Sequence, residues 1–362
     1  MEQASFADLD VIREKKRALD QRFFKKGVAL GLFSGMTYGL YSAFITVAQN
    51  QPSWPAMAPG VVATGFLAMF ILPTIASAVN DSASALWALA VTARQGKLSD
   101  FAKTVRSKPG LIMIAAALVG GPLATTSYII ALSQAGPMAT PVAALNVAAG
   151  AILGRVLLKQ RMGPRVVAGV LVCLVASVMI GSTALTGEVA PGLVTGLVFA
   201  LVAAVGWGLE GCIAGFGTAM IDSQIGITIR QCTSGLANLL VLLPILSLVG
   251  GEPLGTTFGY VGQAVTSAPV LAFFLASGFF AYISFASWYI SNSMCGAALG
   301  MALNGTYTFF GPLFTWLILG IAMGLAGYEM APIAWLAALV MMAGIFIIAV
   351  NPLDFLKRGE KQ

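Results

Sequence analysis

The chain has 362 residues, of which 58% are apolar and only 9% are charged. Soluble proteins carry about 25% charged residues, so a soluble fold of this length could not cover its surface, and we expect lipid to surround most of the chain. The absence of histidine excludes a histidine-activated nucleophile, an ordinary zinc-hydrolase site and a haem ligand. The composition predicts an all-helical integral membrane protein that is not an enzyme and has no metal, cofactor or nucleic-acid partner.

Ten apolar runs have close to the roughly 20 residues that a helix needs to cross the hydrocarbon core. They lie at 27–48, 57–79, 110–133, 138–158, 165–184, 191–217, 224–249, 269–292, 297–323 and 331–350. In a ten-span topology all 20 Lys and Arg residues fall on one face, whereas the opposite loops carry only Glu188, Glu252 and Glu329. The positive-inside rule therefore predicts cytoplasmic termini, and we expect a protein of a bacterial inner membrane.

Two segments beside these runs are harder to assign. Residues 80–93 are too short and too polar to cross the membrane, so we predict an interfacial or re-entrant helix there, with Asp81 as a solvated cap. The basic tail of residues 1–26 has apolar side chains on one helical face, which predicts a helix lying on the inner leaflet. Disorder fits its first ten residues equally well.

The two halves of the chain resemble each other. The first span has glycines at intervals of four from Gly27 to Gly39, and the sixth has small residues at the same interval from Gly192. The sequence YIIALSQAG from Tyr128 matches WYISNSMCG from Trp288, and the span after each contains Ala-Leu-Asn, ending at Asn146 and Asn304. Because each half has five spans, we predict two inverted-topology repeats at 27–186 and 187–350, flanked by cytoplasmic tails at 1–26 and 351–362.

Several of these features resemble the drug/metabolite transporter (DMT) superfamily, which includes the ten-helix EamA-like transporters. They are the five-plus-five arrangement, the G-x-x-x-G first helix with the aromatic-Gly pair Tyr38-Gly39, and the run from Ala135 to Arg161 followed by a Gly-rich helix. The resemblance covers about residues 27–350. The run from Ser53 to Val79 is more similar to the sugar-uptake branch, such as the rhamnose–proton symporter.

This resemblance implies a secondary transporter with a central cavity lined by the first, third, fourth, sixth, eighth and ninth helices. The chain also departs from the family pattern. The acidic residue common after the fourth helix is absent, and Lys159, Gln160 and Arg161 stand there instead.

Aromatic and polar residues mark the faces that would line such a cavity. Superposing Gly39 on Gly208 places Tyr38 on Trp207 and Tyr41 on Glu210, on faces roughly opposite the small residues. Polar groups turned to lipid are costly, so we expect these faces to line the cavity, although tight packing is an alternative for the tyrosines. The predicted solute-binding residues are Tyr38, Tyr41, Tyr128, Asn146, Trp207, Trp288, Asn292 and Asn304.

The polar members of this set have structural alternatives. Asn146 and Asn304 offer donors and an acceptor near mid-span, but each would also suit a hydrogen bond between helices. A stripe beside Trp288 would supply hydroxyls to the cavity, or it would hydrogen-bond to helix backbone. Its members are Ser284, Ser287, Ser291 and Asn292.

Glu210 is the one carboxylate that the sequence places well inside a predicted span. Two roles stay open: it couples protons or meets a cationic group of the solute, or it forms a static ion pair with Arg230 at a similar depth.

The sequence thus predicts a proton-coupled secondary transporter that works by alternating access on a small polar solute, a sugar first. The alternatives are an exporter of amino acids or drug-like organic cations, and a passive channel. We expect the partners to be the lipid bilayer and the solute, with the protein a monomer or homodimer.

Overall fold

The computed structural model describes residues 6–54, 65–159, 163–183, 192–218, 220–295 and 297–349, and every regular element in these ranges is helical. The first half contains α1 (Phe6–Gln49), α2 (Leu72–Arg94), α3 (Leu98–Val105), α4 (Lys108–Leu118), α5 (Thr126–Ala135), α6 (Ala139–Ala143), α7 (Asn146–Leu158) and α8 (Pro164–Thr183). The second half contains α9 (Leu193–Thr218), α10 (Ser223–Ala237), α11 (Leu243–Val249), α12 (Leu254–Thr266), α13 (Ala268–Cys295), α14 (Ala297–Asn304), α15 (Tyr307–Thr315) and α16 (Pro332–Ala349).

Wider π-helical turns join or extend several of these helices. They lie at Leu67–Ile71 before α2, Val119–Thr125 between α4 and α5, Asn238–Leu242 between α10 and α11, and Trp316–Ala322 after α15. The turn between α4 and α5 contains Pro122, which has no backbone N–H to donate. Each turn therefore continues a neighbouring helix, so the chain forms long bent helices there and not separate short ones.

Six helical stretches of the described chain are long and apolar enough to cross a membrane. They are Gln21–Gln49, Lys108–Ala143, Leu193–Ala214, Ser223–Val249, Ala268–Met294 and Gly300–Ala322. Shorter apolar helices lie at Asn146–Leu157, Pro164–Ile180 and Pro332–Ile348. Large apolar side chains cover their outer faces: Val178, Leu248 and Val156 are 70%, 68% and 66% exposed. Such a surface suits contact with lipid.

The helices pack in a crossed pattern. Helix α1 contacts α13, α14 and α15 of the second half, and α9 contacts α4, α5 and α7 of the first. Helix α2 packs on α10, and α8 packs on α16. Every one of these interfaces joins the first half of the chain to the second.

Small residues permit the closest of these contacts, as the glycine spacing predicts. A Cβ added at Gly39 would lie 2.7 Å from the carbonyl carbon of Phe310, and one at Gly208 would lie 2.8 Å from the backbone nitrogen of Gly150. Neither neighbour is the end of a flexible side chain, so a larger residue at either glycine would force the helices apart.

Four features differ from the sequence-based prediction. Residues 80–93 are not a separate interfacial or re-entrant helix, because α2 runs unbroken to Arg94 and turns its polar side chains towards other helices. Helix α1 includes residues 6–26 of the predicted tail in one rod of 44 residues. The predicted spans 138–158 and 297–323 are interrupted, and α12 occupies a stretch assigned to a loop. Glu188 and the tail at 351–362 lie outside the described residues.

Candidate solute-binding cavity

A small cavity lies where the two halves meet. Its volume is about 30 Å³, which holds roughly two water molecules. Side chains from α1, α7, α9, α13, α14 and α15 line it: Tyr38, Asn146, Val147, Trp207, Glu210, Phe285, Trp288, Met301, Asn304 and Tyr307. The cavity is therefore too small in this conformation for a solute larger than a few atoms.

Two of its walls are interrupted helices. The chain tightens at Ala144 and Leu145, where Leu145 N–H donates to the carbonyl of Val142, and α7 then starts at Asn146. Helix α14 ends at Asn304, where Thr306 N–H donates to the carbonyl of Leu303 before α15 begins. These bonds close over three residues and not four, so each asparagine lies at a local change of helix type. Broken helices are where inverted-repeat transporters bind their solutes.

Both asparagines hydrogen-bond across helices. The Asn304 amide donates to Ser34 Oγ at 2.6 Å, and Tyr307 Oη donates to Asn146 Oδ1 at 3.5 Å. Both are half-buried and both line the cavity. The interhelical bond and the cavity-lining position thus occur together, and each amide retains unused hydrogen-bonding capacity.

Aromatic rings surround Tyr38 at the centre of the cavity wall. The Tyr38 ring stacks on Tyr307 at a centroid distance of 4.3 Å and lies 6.1 Å from the rings of both Trp207 and Phe285. Among the described residues, neither Tyr38 Oη nor Trp288 Nε1 has a hydrogen-bond partner, although both are buried. An unmet buried donor costs about 1–3 kcal/mol, so these two atoms are candidate contacts for a polar solute or for water.

Glu210 and Arg230 form a buried, two-pronged ion pair beside the cavity. Arg230 Nε donates to Glu210 Oε1 at 2.8 Å, and Arg230 Nη2 donates to Oε2 at 3.3 Å. The guanidinium also donates to Gln231 Oε1 at 3.1 Å and lies 4.0 Å above the Phe285 ring. This is the geometry of the ion-pair alternative, and it leaves the cavity wall without net charge at Glu210.

Several predicted contacts lie away from the cavity. Tyr41 packs behind Tyr38 at 5.1 Å, and Tyr128 lies 5.2 Å from Trp207, so α5 supports the wall without lining it. Tyr128 Oη is occupied by Ser42 and Thr140.

The predicted hydroxyl stripe faces α1 and not the cavity. Ser284 Oγ donates to the carbonyl of Ser34 at 2.9 Å, and Ser291 Oγ donates to that of Gly27 at 2.8 Å. Asn292 does not line the cavity either, and its Oδ1 lies against Gly300. Ser284 and Ser291 therefore serve helix packing, because the close approach of α1 and α13 puts backbone carbonyls within reach.

Sequence reasoning missed four lining residues. Val147, Phe285, Met301 and Tyr307 complete the wall. Val147 follows Asn146, and Phe285 lies three residues before Trp288, so a scan one turn around each predicted residue would have found these two. Met301 and Tyr307 lie three residues before and after Asn304, so the same scan would have found them as well.

A second, larger cavity opens at one end of the bundle. This outer vestibule has a volume of about 580 Å³ and lies between the end of α1, the start of α2, the end of α5 and the loop before α16. Within the described residues its polar lining consists of neutral groups, namely Thr46, Gln49, Asn50, Ser133, Gln134 and Tyr328. Its volume falls in the range of small-molecule sites.

The opposite end of the bundle is closed by polar contacts between the halves. Lys97 Nζ lies 2.9 Å from Asp222 Oδ2, and both side chains are partly exposed. Gln224 links Thr92 to Tyr282, at 3.1 Å and 2.9 Å. Burial by itself would raise the pKa of the Asp222 carboxyl, but the hydrogen bonds from Lys97 and from the backbone N–H of Ile225 hold that pKa below its ordinary value.

Asp81 is not a solvated cap. It is 3% exposed in the middle of α2, and its carboxylate accepts hydrogen bonds from the Ser234 hydroxyl, from Asn238 Nδ2 at 3.0 Å and from Asn80 Nδ2 at 3.2 Å. The prediction of an end cap was wrong because α2 continues for 13 residues beyond Asp81. Among the residues whose burial the structure describes, two helical carboxylates are buried, and the sequence suggested one.

Comparison with known proteins adds little to this picture. No protein-family model and no curated protein matches the chain. Among solved structures, one chain described only as "Crystal structure of protein" is 19% identical, with 92% of this chain and 99% of that chain covered and a TM-score of 0.49.

Proposed function

We propose that the protein is an integral membrane transporter that moves a small, uncharged polar solute, a sugar first, by proton-coupled alternating access. The observation that supports this proposal is the small cavity of amides and aromatic rings between two broken helices. Flat rings stack on the apolar faces of a sugar, and amides exchange hydrogen bonds with its hydroxyls. The vestibule open at one end and the closed opposite end support a state that faces one side of the membrane.

We further propose ten membrane-crossing segments arranged as two inverted repeats. The crossed packing supports this arrangement. If the first segment corresponds to the sixth, the third to the eighth and the fourth to the ninth, then α1 on α13 and α15 is the counterpart of α9 on α5 and α7. The pairs α2–α10 and α8–α16 would then lie on the pseudo-two-fold axis. This symmetry gives the two alternate states of the carrier a structural basis.

Export of an organic cation is the weaker alternative. A cation would need an unpaired carboxylate in the cavity, whereas Glu210 is occupied by Arg230 at 2.8 Å. A passive channel is disfavoured by the small volume of the cavity, about 30 Å³, which leaves no continuous path for a solute.

A thermal-shift screen of the purified protein tests the solute class. The ligands are monosaccharides (D-glucose, D-xylose and L-rhamnose), amino acids, and the cation tetraphenylphosphonium. A bound solute raises the melting temperature by mass action. We expect stabilisation by a monosaccharide that is lost in Asn304→Ala, with Asn50→Ala in the vestibule as the control. Stabilisation by tetraphenylphosphonium alone would contradict the proposed class.

Cysteine labelling tests the proposed topology. An impermeant thiol reagent added outside cells should modify Glu252→Cys and Glu329→Cys but not Lys97→Cys. Modification of Lys97→Cys from outside would overturn the orientation, and the same reagent on permeabilised cells shows that each site can react.

A further inference from the structure

The network around Asp81 holds a carboxylate without a cation. Among the described residues, no Lys or Arg nitrogen lies within the 4.0 Å of an ion pair with Asp81. The donors are one hydroxyl and two amides, from Ser234, Asn238 and Asn80. A buried ion is costly unless it is fully compensated, and neutral donors compensate a carboxylate less than a guanidinium does.

The same network accepts a protonated carboxyl group without losing its contacts. A serine hydroxyl can donate or accept, so a protonated Asp81 can donate to Ser234 Oγ while that hydroxyl turns to a backbone carbonyl of its own helix. Glu210 has no such freedom. Its partner Arg230 can only donate, and protonation of Glu210 would remove an acceptor from a guanidinium that is 1% exposed.

Asp81 also lies where the halves meet. Asn238 donates to Ser77 Oγ at 3.1 Å, and Thr126 on α5 donates to the same oxygen at 2.9 Å. On the other side, Ser277 on α13 donates to Asn80 Oδ1 at 2.6 Å. A change of charge at Asp81 therefore acts on hydrogen bonds that join α2 to α5, α10 and α13.

The titratable and charged groups that act on Asp81 are Tyr41 from α1 and Arg230 from α10, while α5 and α13 contribute the hydroxyls of Thr126 and Ser277. Arg230 is the one that carries a positive charge. Because Arg230 is bound to the cavity residue Glu210, a solute that disturbs this pair changes the field at Asp81.

We infer that Asp81, and not Glu210, is the residue that binds and releases the coupling proton, an inference that rests on the proposed transport function. The step is a simple protonation: the carboxylate takes one proton from water on one side, becomes a neutral carboxylic acid that donates to Ser234, and returns the proton on the other side. The neutral form removes the negative charge of Asp81 from the α2–α10 contact and so favours the rearrangement of these helices.

Infrared difference spectroscopy tests this inference without a solute. Purified protein in lipid is titrated with acid, and the carbonyl stretch of buried, protonated carboxyl groups is followed. We expect one band that appears as the pH falls, is lost in Asp81→Asn and persists in Glu210→Gln with Arg230→Gln. Asp222→Asn, at an exposed carboxylate, is the matched control and should keep the band.

Two results would overturn the inference: a wild-type protein with no such band, or a band that survives in folded Asp81→Asn. If Asp81→Asn does not fold, Ser234→Ala replaces it. Loss of that hydroxyl should shift the titration midpoint of the band. An unchanged midpoint would also contradict the inference about Asp81.

Proteoliposomes separate this inference from the proposed function. With labelled L-rhamnose as the probe, folded Asp81→Asn should lose accumulation driven by a pH gradient but keep exchange of labelled for unlabelled sugar. Uphill accumulation by Asp81→Asn would refute the role of Asp81 and leave the transporter proposal standing. Failure of the wild-type protein to move any solute of the thermal-shift panel would refute the transporter proposal, and the infrared result would still decide where the proton binds.

Discussion

Glu210 and Asp81 are both buried carboxylates that bond to side chains of α10, yet they are neutralised differently. Arg230 holds Glu210 by two charge-assisted hydrogen bonds, whereas Ser234 and Asn238 hold Asp81 by neutral donors. The first arrangement is fixed in one charge state, because a guanidinium keeps its proton. The second tolerates two charge states. Equally buried carboxylates therefore need not have the same role. The partner decides whether a carboxylate stays in one charge state or can change between two.

The largest expected effect is at the ion pair. Glu210→Gln leaves Arg230 buried without its counter-charge, which typically costs about 3–5 kcal/mol. We expect low folded yield and a lower melting temperature in detergent. Adding Arg230→Gln should restore much of the loss. If Glu210→Gln alone folds as well as wild type, the interpretation of Glu210 and Arg230 as a fixed structural ion pair is wrong.

Gly120, which lies against the Glu210 carboxylate, offers a second test of the ion pair. A Cβ at Gly120 would overlap the Glu210 carboxylate, so Gly120→Ala must displace it. Overpacking of this kind costs about 1–3 kcal/mol. Gly259→Ala on α12, where a Cβ meets nothing within 4 Å, is the control and should be neutral or slightly stabilising. Comparison of the two melting temperatures checks this, and equal values would contradict it.

The exposed pair Lys97–Asp222 extends the comparison to a third carboxylate. Because the folded pKa of Asp222 is lowered, its stabilisation is present above the unfolded value of about 3.9 and is lost as the pH falls through the folded value. Asp222→Asn keeps a helix-capping side chain but removes the charge. We expect a loss below about 1 kcal/mol at pH 7. The difference in melting temperature between Asp222→Asn and wild type should be smaller near pH 3 than at pH 7. A larger difference near pH 3 would contradict this expectation.

The smallest stability change is expected at Asp81. Asp81→Asn removes a buried charge while keeping a side chain that accepts and donates, so the melting temperature should stay the same or rise. The measurement is the same melt as for Glu210→Gln. A loss of stability as large as that of Glu210→Gln would mean that Asp81 too has a fixed structural role.

Much of this fold can be predicted from the sequence because a helix that crosses lipid needs a long run of apolar residues. Apolar runs gave the positions of the long helices, and glycine spacing gave the faces that touch. Asn146 and Asn304 could be placed at the cavity because both follow the same Ala-Leu-Asn pattern at matching depths. These signals are local or periodic, and a single chain displays them.

The sequence could not predict Asp81 because its partners are remote. Ser234 is 153 residues away and Asn238 is 157, so the stretch around Asn80 looks like a polar end when it is seen alone. The same limit explains the serines of α13, whose partners are carbonyls of α1 about 250 residues away. Tertiary contacts decide which polar residues face lipid, cavity or neighbour, and neither composition nor periodicity records them.

The neutral lining of the outer vestibule has a kinetic consequence. Charged funnels accelerate the capture of charged ligands, and that acceleration falls as salt screens the field. The polar groups that line the described part of the vestibule are amides and hydroxyls, so they exert little long-range electrostatic attraction on an approaching solute. Entry should therefore proceed by unassisted diffusion, at a rate that hardly changes between low and physiological ionic strength.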